Sequence, residues 1–326
     1  QYYSHRIVLT KCAAALALFL GGQCNFYWLQ AVGGVAWLAV AALMLRASPR
    51  VAMAPLLGLP VVLILMQPQG ATNFLIAMQA VQNLGVLALS FGALACVLRP
   101  GRLNFALAIG LALLAPLASV NGLLVFPVGA VGLALRQQHR RGLVFLLLGA
   151  VVWTVFFIDY SNPQAPFRVM EFLHNAAIMV GATVIFGTLG LDFATVAGGA
   201  ILLVAAIVLL AAAWRRRPSV LALFLLFVAL SVAMAARGRI GWGPAYMDQD
   251  RYRAYGLLTL ALLYLLLLDG VPIATQRLAG TVAACAAAVF SLLSFAGHLP
   301  GFTTHRRWTE AMAMNFQLGG DFYKTT

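Results

Sequence analysis

The sequence predicts an all-α, polytopic integral membrane protein, and three observations predict it. Residues of the set AVILMFWYC make up 63% of the 326-residue chain and charged residues only 9%; ordinary soluble domains have roughly 45–50% apolar and about 25% charged residues. The apolar residues come in long runs separated by short polar punctuation. Eleven of the 19 arginines fall in alternate gaps between those runs with almost no acid beside them, as topology charges do. So few charges cannot cover a soluble domain of this size, and the apolar fraction excludes disorder. Four cysteines in so long a chain exclude a disulfide scaffold. The chain reads as one helical transmembrane domain over 1–326.

Each apolar run is helical, because lipid offers backbone amides no other partner. The run 7–20 is too short to span and carries Lys11. It predicts an interfacial helix within an outer-face segment, 1–24. About ten spans follow, at 25–45, 51–66, 73–98, 103–120, 121–135, 142–158, 191–214, 218–236, 253–269 and 278–299, and 300–326 is an outer-face tail. The stretch 103–135 decides the topology. As a single helix it would be roughly 50 Å long, too long for a ~30 Å hydrocarbon core. Pro116, Ser119, Asn121 and Gly122 near its middle predict a hairpin of two short helices.

Charge supports that hairpin. Arg46 and Arg50, Arg99 and Arg102, Arg136 with Arg140 and Arg141, Arg215 to Arg217, and Arg277 occupy alternate loops whose only acid is Asp269. The positive-inside rule makes these loops cytoplasmic. The other loops carry the remaining seven acids, mixed with cations, His5, His174, His298 and His305. Every group with chemical potential thus falls on the outer face. Ten spans leave both ends outside, which points to a further helix before Gln1. The net charge of +13 comes with 19 Arg and only 2 Lys. Arginine offers phosphate a planar, bidentate fork, although a GC-rich genome with topology charges gives the same bias. Nucleic acid is not the expected partner, since no soluble basic domain presents the charge.

The richest segment is 237–253. It holds Arg237, Arg239, Arg251, Arg253, Asp248, Asp250, Trp242 and Tyr246 between two apolar helices. Gly238, Gly241 and Gly243 let its backbone approach a ligand. It reads as a phosphate-binding loop, or as a loop whose Arg and Asp pair with each other and with headgroups. Ser4-His5-Arg6 offers a base and a phosphate contact, or a headgroup contact. Glu171 and His174 lie three apart on one helix face, a spacing suited to acid–base work or a metal and also common by chance. Around His298 and His305 no zinc-ligand spacing exists. Gln79, Gln82 and Asn83 lie inside a span, either as helix-joining amides or as a site. The segments 1–11, 168–175 and 237–253 are expected to converge on one outward cavity.

His5-Arg6-Ile7, Asn73-Phe74-Leu75 with Gln79, Ser119-Val-Asn121-Gly122-Leu123-Leu124 with Pro127, and Gly238 through Arg251-Tyr252 resemble a group of bacterial polytopic membrane proteins similar to GT-C glycosyltransferases. The resemblance spans most of the chain. It implies a GT-C-like fold in the bacterial cytoplasmic membrane and a polyprenyl-phosphate-linked sugar donor used on the outer face. GT-C enzymes place a catalytic acid in the first outer loop; residues 1–24 contain none, and Ser4 stands before His5. On this reading Asp248, Asp250 and His5 are the catalytic candidates. Arg237, Arg239, Arg251, Arg253 and Arg6 bind phosphate. Trp242, Tyr246, Glu171 and His174 contact substrate, and a divalent metal stays open as cofactor. The alternatives are an enzyme of O-antigen polymerase or ligase type, a lipid or solute transporter, or a non-catalytic subunit with membrane-protein partners. Membrane lipid is a partner in every case.

Overall fold

The computed structural model describes residues 8–21, 26–158, 165–186, 189–214 and 219–317, as backbone alone from 299 on. Every regular element among them is helical. Seven helices are long and apolar enough to cross a membrane: Tyr27–Ala47, Ala77–Val97, His139–Phe157, Leu191–Trp214, Val220–Arg237, Asp250–Gly270 and Ile273–His298. The other three expected spans are shorter apolar helices, Pro55–Leu65, Arg102–Ala118 and Val120–Leu135.

The chain opens with α1 (Val8–Gly21) and α2 (Phe26–Ala47). Leu9, Ala13 and Ala14 of α1 pack beside Leu29, Ala77 and Val81. Next comes a run cut by prolines into α3 (Pro49–Met53), a 3-10 turn (Pro55–Gly58), α4 (Leu59–Leu65) and a second 3-10 turn (Pro68–Gly70). Each of these pieces has proline in its first two positions, where the missing amide hydrogen costs nothing. This run climbs back along α2: Leu45 lies beside Gly58, and the Trp37 indole donates to the Leu65 carbonyl at 3.1 Å. After α5 (Thr72–Leu75) and α6 (Ala77–Gln79), a π-helical segment (Ala80–Leu84) leads into α7 (Gly85–Val97).

The expected hairpin is present as α8 (Arg102–Ala118), a 3-10 segment (Val120–Leu124) and α9 (Val125–Leu135). Pro116 lies inside the last turn of α8, and Ser119 is fully extended at φ −158°, ψ 151°. Gly122 then folds back so closely that a Cβ would overlap the Ala115 carbonyl. The two ends of the hairpin meet. The Arg136 guanidinium donates to the Leu98 carbonyl at 2.7 Å, and Arg141 lies 5.4 Å from the centre of the Phe105 ring.

α10 (His139–Phe157), α11 (Val169–Gly181), α12 (Leu191–Trp214), α13 (Val220–Arg237), α14 (Asp250–Gly270) and α15 (Ile273–Gln317) complete the bundle. Two segments are more helical than the sequence reading described. The segment 159–190 is not simply an outer loop with a short helix at 168–175. α11 continues into a 3-10 turn (Ala182–Val184), and its Ile178, Met179 and Val180 are wholly buried. It packs on α12 through small residues: a Cβ on Gly181 or Gly198 would strike the opposite backbone. The tail expected at 300–326 begins as an unbroken continuation of α15, which has 45 residues and measures roughly 68 Å.

α7, α13 and α14 form the centre. Phe91 of α7 stacks on Phe224 of α13 with ring centres 4.0 Å apart, and Phe126 and Phe145 fill the space toward α9 and α10. α12 and α15 are peripheral and turn apolar side chains outward, as a lipid solvent allows. One end of the bundle gathers the described parts of the loops expected to be cytoplasmic. Ser48 bonds Asp269 at 3.3 Å, Tyr264 bonds the Leu57 carbonyl at 2.7 Å, and Leu98 and Leu223 both close on Gly132. The opposite end carries the 238–249 connection, the Ser119 turn and the broken helix at 76–84.

Candidate functional site

Three interruptions of helical backbone meet at that second end. Ile76 is extended, α6 is a single turn, and 80–84 is π-helical. Ser119 is extended and 120–124 is 3-10. The connection from α13 to α14 carries Gly241 and Gly243 at φ +88° and +86°, a conformation that glycine alone adopts freely. Irregular backbone at membrane depth is tolerated where it is buried in protein or lines a cavity, and π-turns gather at functional sites. Here all three border one cavity of about 400 Å³. Gln79, Gln82 and Asn83 form one wall, Ser119 and Asn121 a second. Ser231, Arg237 and Arg239 come from α13 and the loop after it, and Arg251, Tyr252 and Tyr255 from α14.

The three guanidinium groups are held by aromatic rings. Arg239 lies 4.2 Å from the Trp242 ring centre, and its Nε donates to the Tyr252 hydroxyl at 2.9 Å. Arg251 lies 4.9 Å from the Tyr252 ring centre, and Arg237 lies 5.6 Å from that of Phe167. Stacking fixes the plane of each fork and leaves its edge free to donate. The Arg251 backbone is tied down as well. Asn73, fully buried, donates to the Arg251 carbonyl at 3.3 Å and accepts from Asn83 at 2.7 Å. Asn121 donates to the Tyr255 hydroxyl at 3.0 Å.

No carboxylate is among the described residues that line the cavity. Arg237 Nη1, Arg251 Nε, Gln79 Oε1, Asn121 Oδ1 and Ser231 Oγ are all buried there without a hydrogen-bond partner. Each orphan of this kind costs about 1–3 kcal/mol, and a buried charge costs more. Two are guanidinium nitrogens, which donate, and three are oxygens, so the residues lining the cavity leave both kinds of group unpartnered.

The remaining sequence candidates lie elsewhere. Arg253 is buried and turns away from the cavity. It pairs with Asp248 at 2.8 Å and Asp250 at 3.9 Å, and contacts His298 of α15, so it ties the loop, α14 and α15 together. Asp248 and Asp250 therefore face Arg253; about a third of each side chain stays exposed. Glu171 accepts from the Gly241 amide and pairs with Arg168 at 3.5 Å, which joins α11 to the glycine loop. Glu171 and His174 line a separate, shallow and mostly apolar groove between α11 and α12. Trp242 and Tyr246 form an edge-to-face pair with ring centres 5.3 Å apart, above Arg239. His5 and Arg6 lie outside the described residues. Among the described residues no three His, Cys, Asp or Glu side chains come together as a metal cluster.

The sequence reading gave no site role to Asn73, Asn121, Ser231 or Tyr255, although Asn73 and Asn121 stand in the motifs that carry the resemblance. Their signal was a polar atom inside an apolar run, which Gln79, Gln82 and Asn83 also carry. The chain matches no protein-family model, no curated protein and no solved structure.

Proposed function

We propose that this chain is a membrane glycosyltransferase of GT-C-like architecture, taking sugar from a polyprenyl-phosphate-linked donor on the outer face of the bacterial cytoplasmic membrane. One observation carries the reading: three arginines, with no carboxylate among the described lining residues, share a cavity with residues that hold unpaired, buried polar atoms. The positive-inside rule puts that cavity outside, because the opposite end holds the arginine-rich loops.

In the proposed step the acceptor hydroxyl oxygen attacks the anomeric carbon. The bond from that carbon to the phosphate oxygen breaks, and its electron pair leaves with the phosphate. The hydroxyl proton passes to a carboxylate. Arg237, Arg239 and Arg251 neutralise the charge that grows on the leaving phosphate, in a site where low dielectric strengthens each contact. Asp248 or Asp250 is the proposed base; both lie beside Arg253 and outside the cavity lining, so on this reading the acceptor hydroxyl enters from the 238–249 connection. The absence of a lining carboxylate among the described residues favours a second reading, an enzyme of O-antigen polymerase or ligase type that works through arginine.

The test is sugar transfer from lipid-linked donors by the purified chain. Arg251→Ala should lose ~2–5 kcal/mol of substrate stabilisation, and Arg251→Lys should fail too, since the bidentate fork is gone. The double change Asp248→Asn, Asp250→Asn abolishes transfer on the first reading and spares it on the second. Full activity in both Arg251 variants would sink both.

A further inference from the structure

We propose that Tyr252 and Tyr255 are ligand-binding residues of this cavity: two neutral phenols that donate their hydroxyl protons to the oxygens of a phosphoryl anion. The inference rests on the cavity being an anion site, as the lipid-linked donor reading has it, and needs nothing of the sugar or of the transfer.

The two residues stand three apart on α14 and so share one face of it, and both line the cavity. Each hydroxyl lies where α14 meets another lining wall. The Tyr252 oxygen accepts from Arg239 Nε at 2.9 Å, and the Tyr255 oxygen accepts from Asn121 Nδ2 at 3.0 Å. A phenol oxygen that accepts in this way still has one proton to give. Neither phenol gives it to an acceptor among the described residues. The buried oxygens of the same cavity, Gln79 Oε1, Asn121 Oδ1 and Ser231 Oγ, do not take it, since each is itself without a partner. Two O–H donors thus belong to the same lining as the three guanidinium groups.

Their neutrality suits such a site. Three cations already repel one another, and a fourth would raise that cost in the empty cavity. A phenol adds a directed donor and no charge, and an O–H bond to an anionic oxygen is among the strong ones. The two phenols are not equal. Tyr252 accepts from a guanidinium, and Arg251 lies 4.9 Å from the centre of its ring. Tyr255 accepts from a neutral amide. A hydroxyl that accepts from a charged donor is polarised toward giving its own proton, so Tyr252 is the stronger donor of the pair.

The experiment is calorimetric titration of the purified full chain in a neutral detergent, with inorganic phosphate as one probe and phosphatidylglycerol in mixed micelles as the other. The probe whose binding responds to the tyrosines identifies the source of the anion, free or in a headgroup. Tyr252→Phe should weaken binding about tenfold, the effect of one charge-assisted hydrogen bond, and Tyr255→Phe about threefold. In both, affinity should fall with ionic strength as steeply as in wild type, because no charge is removed; Arg251→Gln should flatten that dependence. An ortho-fluorotyrosine in place of Tyr252 or Tyr255 is a better donor and a poorer acceptor, so it should tighten binding. It also keeps ring and hydroxyl where a phenylalanine variant fails to fold. Tyr252→Phe is repeated in an Arg239→Gln background, where the loss should persist. A loss that vanishes there makes Tyr252 only a support for Arg239 and overturns its assignment. Unchanged or weaker binding by both fluorotyrosine proteins overturns the donor assignment of the pair, and either result leaves the anion site standing. If the folded wild type binds neither probe, the anion-site reading falls together with this one.

Discussion

Arg253 and Arg237 should respond to neutralisation in opposite senses, although they bracket one loop. Arg253→Gln removes the cation that pairs with both Asp248 and Asp250. Breaking a fully buried pair this way costs about 3–5 kcal/mol. The Arg253 side chain is 10% exposed, but those of Asp248 and Asp250 are 32% and 39% exposed, so water takes up part of the loss. About 2–3 kcal/mol remains on that discount. Arg237→Met keeps the apolar stem and deletes a cation with a buried, unpaired nitrogen. Removing an orphan of that kind is worth about 1 kcal/mol in favour of the fold. The assay is the apparent melting midpoint of purified protein in detergent, followed by tryptophan fluorescence, with a denaturant titration beside it. Arg253→Gln should melt clearly below wild type, and Arg237→Met at or above it while losing anion binding. Asp248→Asn in the Arg253→Gln background should recover part of the loss, since the two act as one pair. If Arg253→Gln melts with wild type, or Arg237→Met falls as far as Arg253→Gln, the division between tie and ligand site is wrong.

Gly122→Ala should lose about 3 kcal/mol, because its Cβ meets the Ala115 carbonyl and the hairpin cannot close without moving α8; the same melting assay reads it, against Gly110→Ala, where the added carbon meets nothing. Single cysteines at Arg50, Gln138 and Gly243, in a background with the native cysteines changed to serine, should label from the cytoplasmic side for the first two and from outside for the third. Labelling of all three from one side would break the topology. Asn73→Ala should weaken anion binding about tenfold by freeing the Arg251 carbonyl, and Asn73→Asp, which keeps the acceptor for Asn83, should recover less than half; equal binding by all three proteins would show that Arg251 needs no such tether.

Much of this fold was legible because lipid simplifies the grammar. Apolar runs had to be helices, and alternate arginines had to share an end. The hairpin at 103–135 was readable from its length, and Ser119 supplies the break. α11 was readable only over its first turns. Glu171, His174 and Asn175 interrupt its apolar run, and its lower half is buried only because α12, α13 and α14 enclose it. The site was half legible for a similar reason. Composition singled out 237–253, but Arg251 and Arg253 stand two apart in one helical turn and so point roughly 200° away from each other. One enters the cavity and the other faces Asp248. Sequence gives both the same description, and the bundle around α14 decides between them. Asn121 and Ser231 were hidden because a lone amide or hydroxyl in an apolar span is ordinary helix glue until its partner proves absent.

The first turn of α14 shows why these two arginines cannot be equivalent. Asp250 opens the helix, and Arg251 and Arg253 follow at once. A cation there opposes the helix dipole by about 0.3–1 kcal/mol, and more when partly buried. Arg253 escapes that cost, since Asp248 and Asp250 lie against it and an aspartate at the helix start is itself favoured. Among the described residues no carboxylate lines the cavity beside Arg251, and the Tyr252 ring lies against it. In the empty site it bears the dipole, its own desolvation and the field of Arg237 and Arg239 together. An anion bound among them adds an attraction that offsets all three terms. The same helix N-terminus that repels Arg251 attracts the phosphate oxygen, and the other two arginines become partners where they were opponents. Arg251 is thus the residue whose energy differs most between the empty and the occupied cavity, and substitution there should cost affinity out of proportion to any loss of stability.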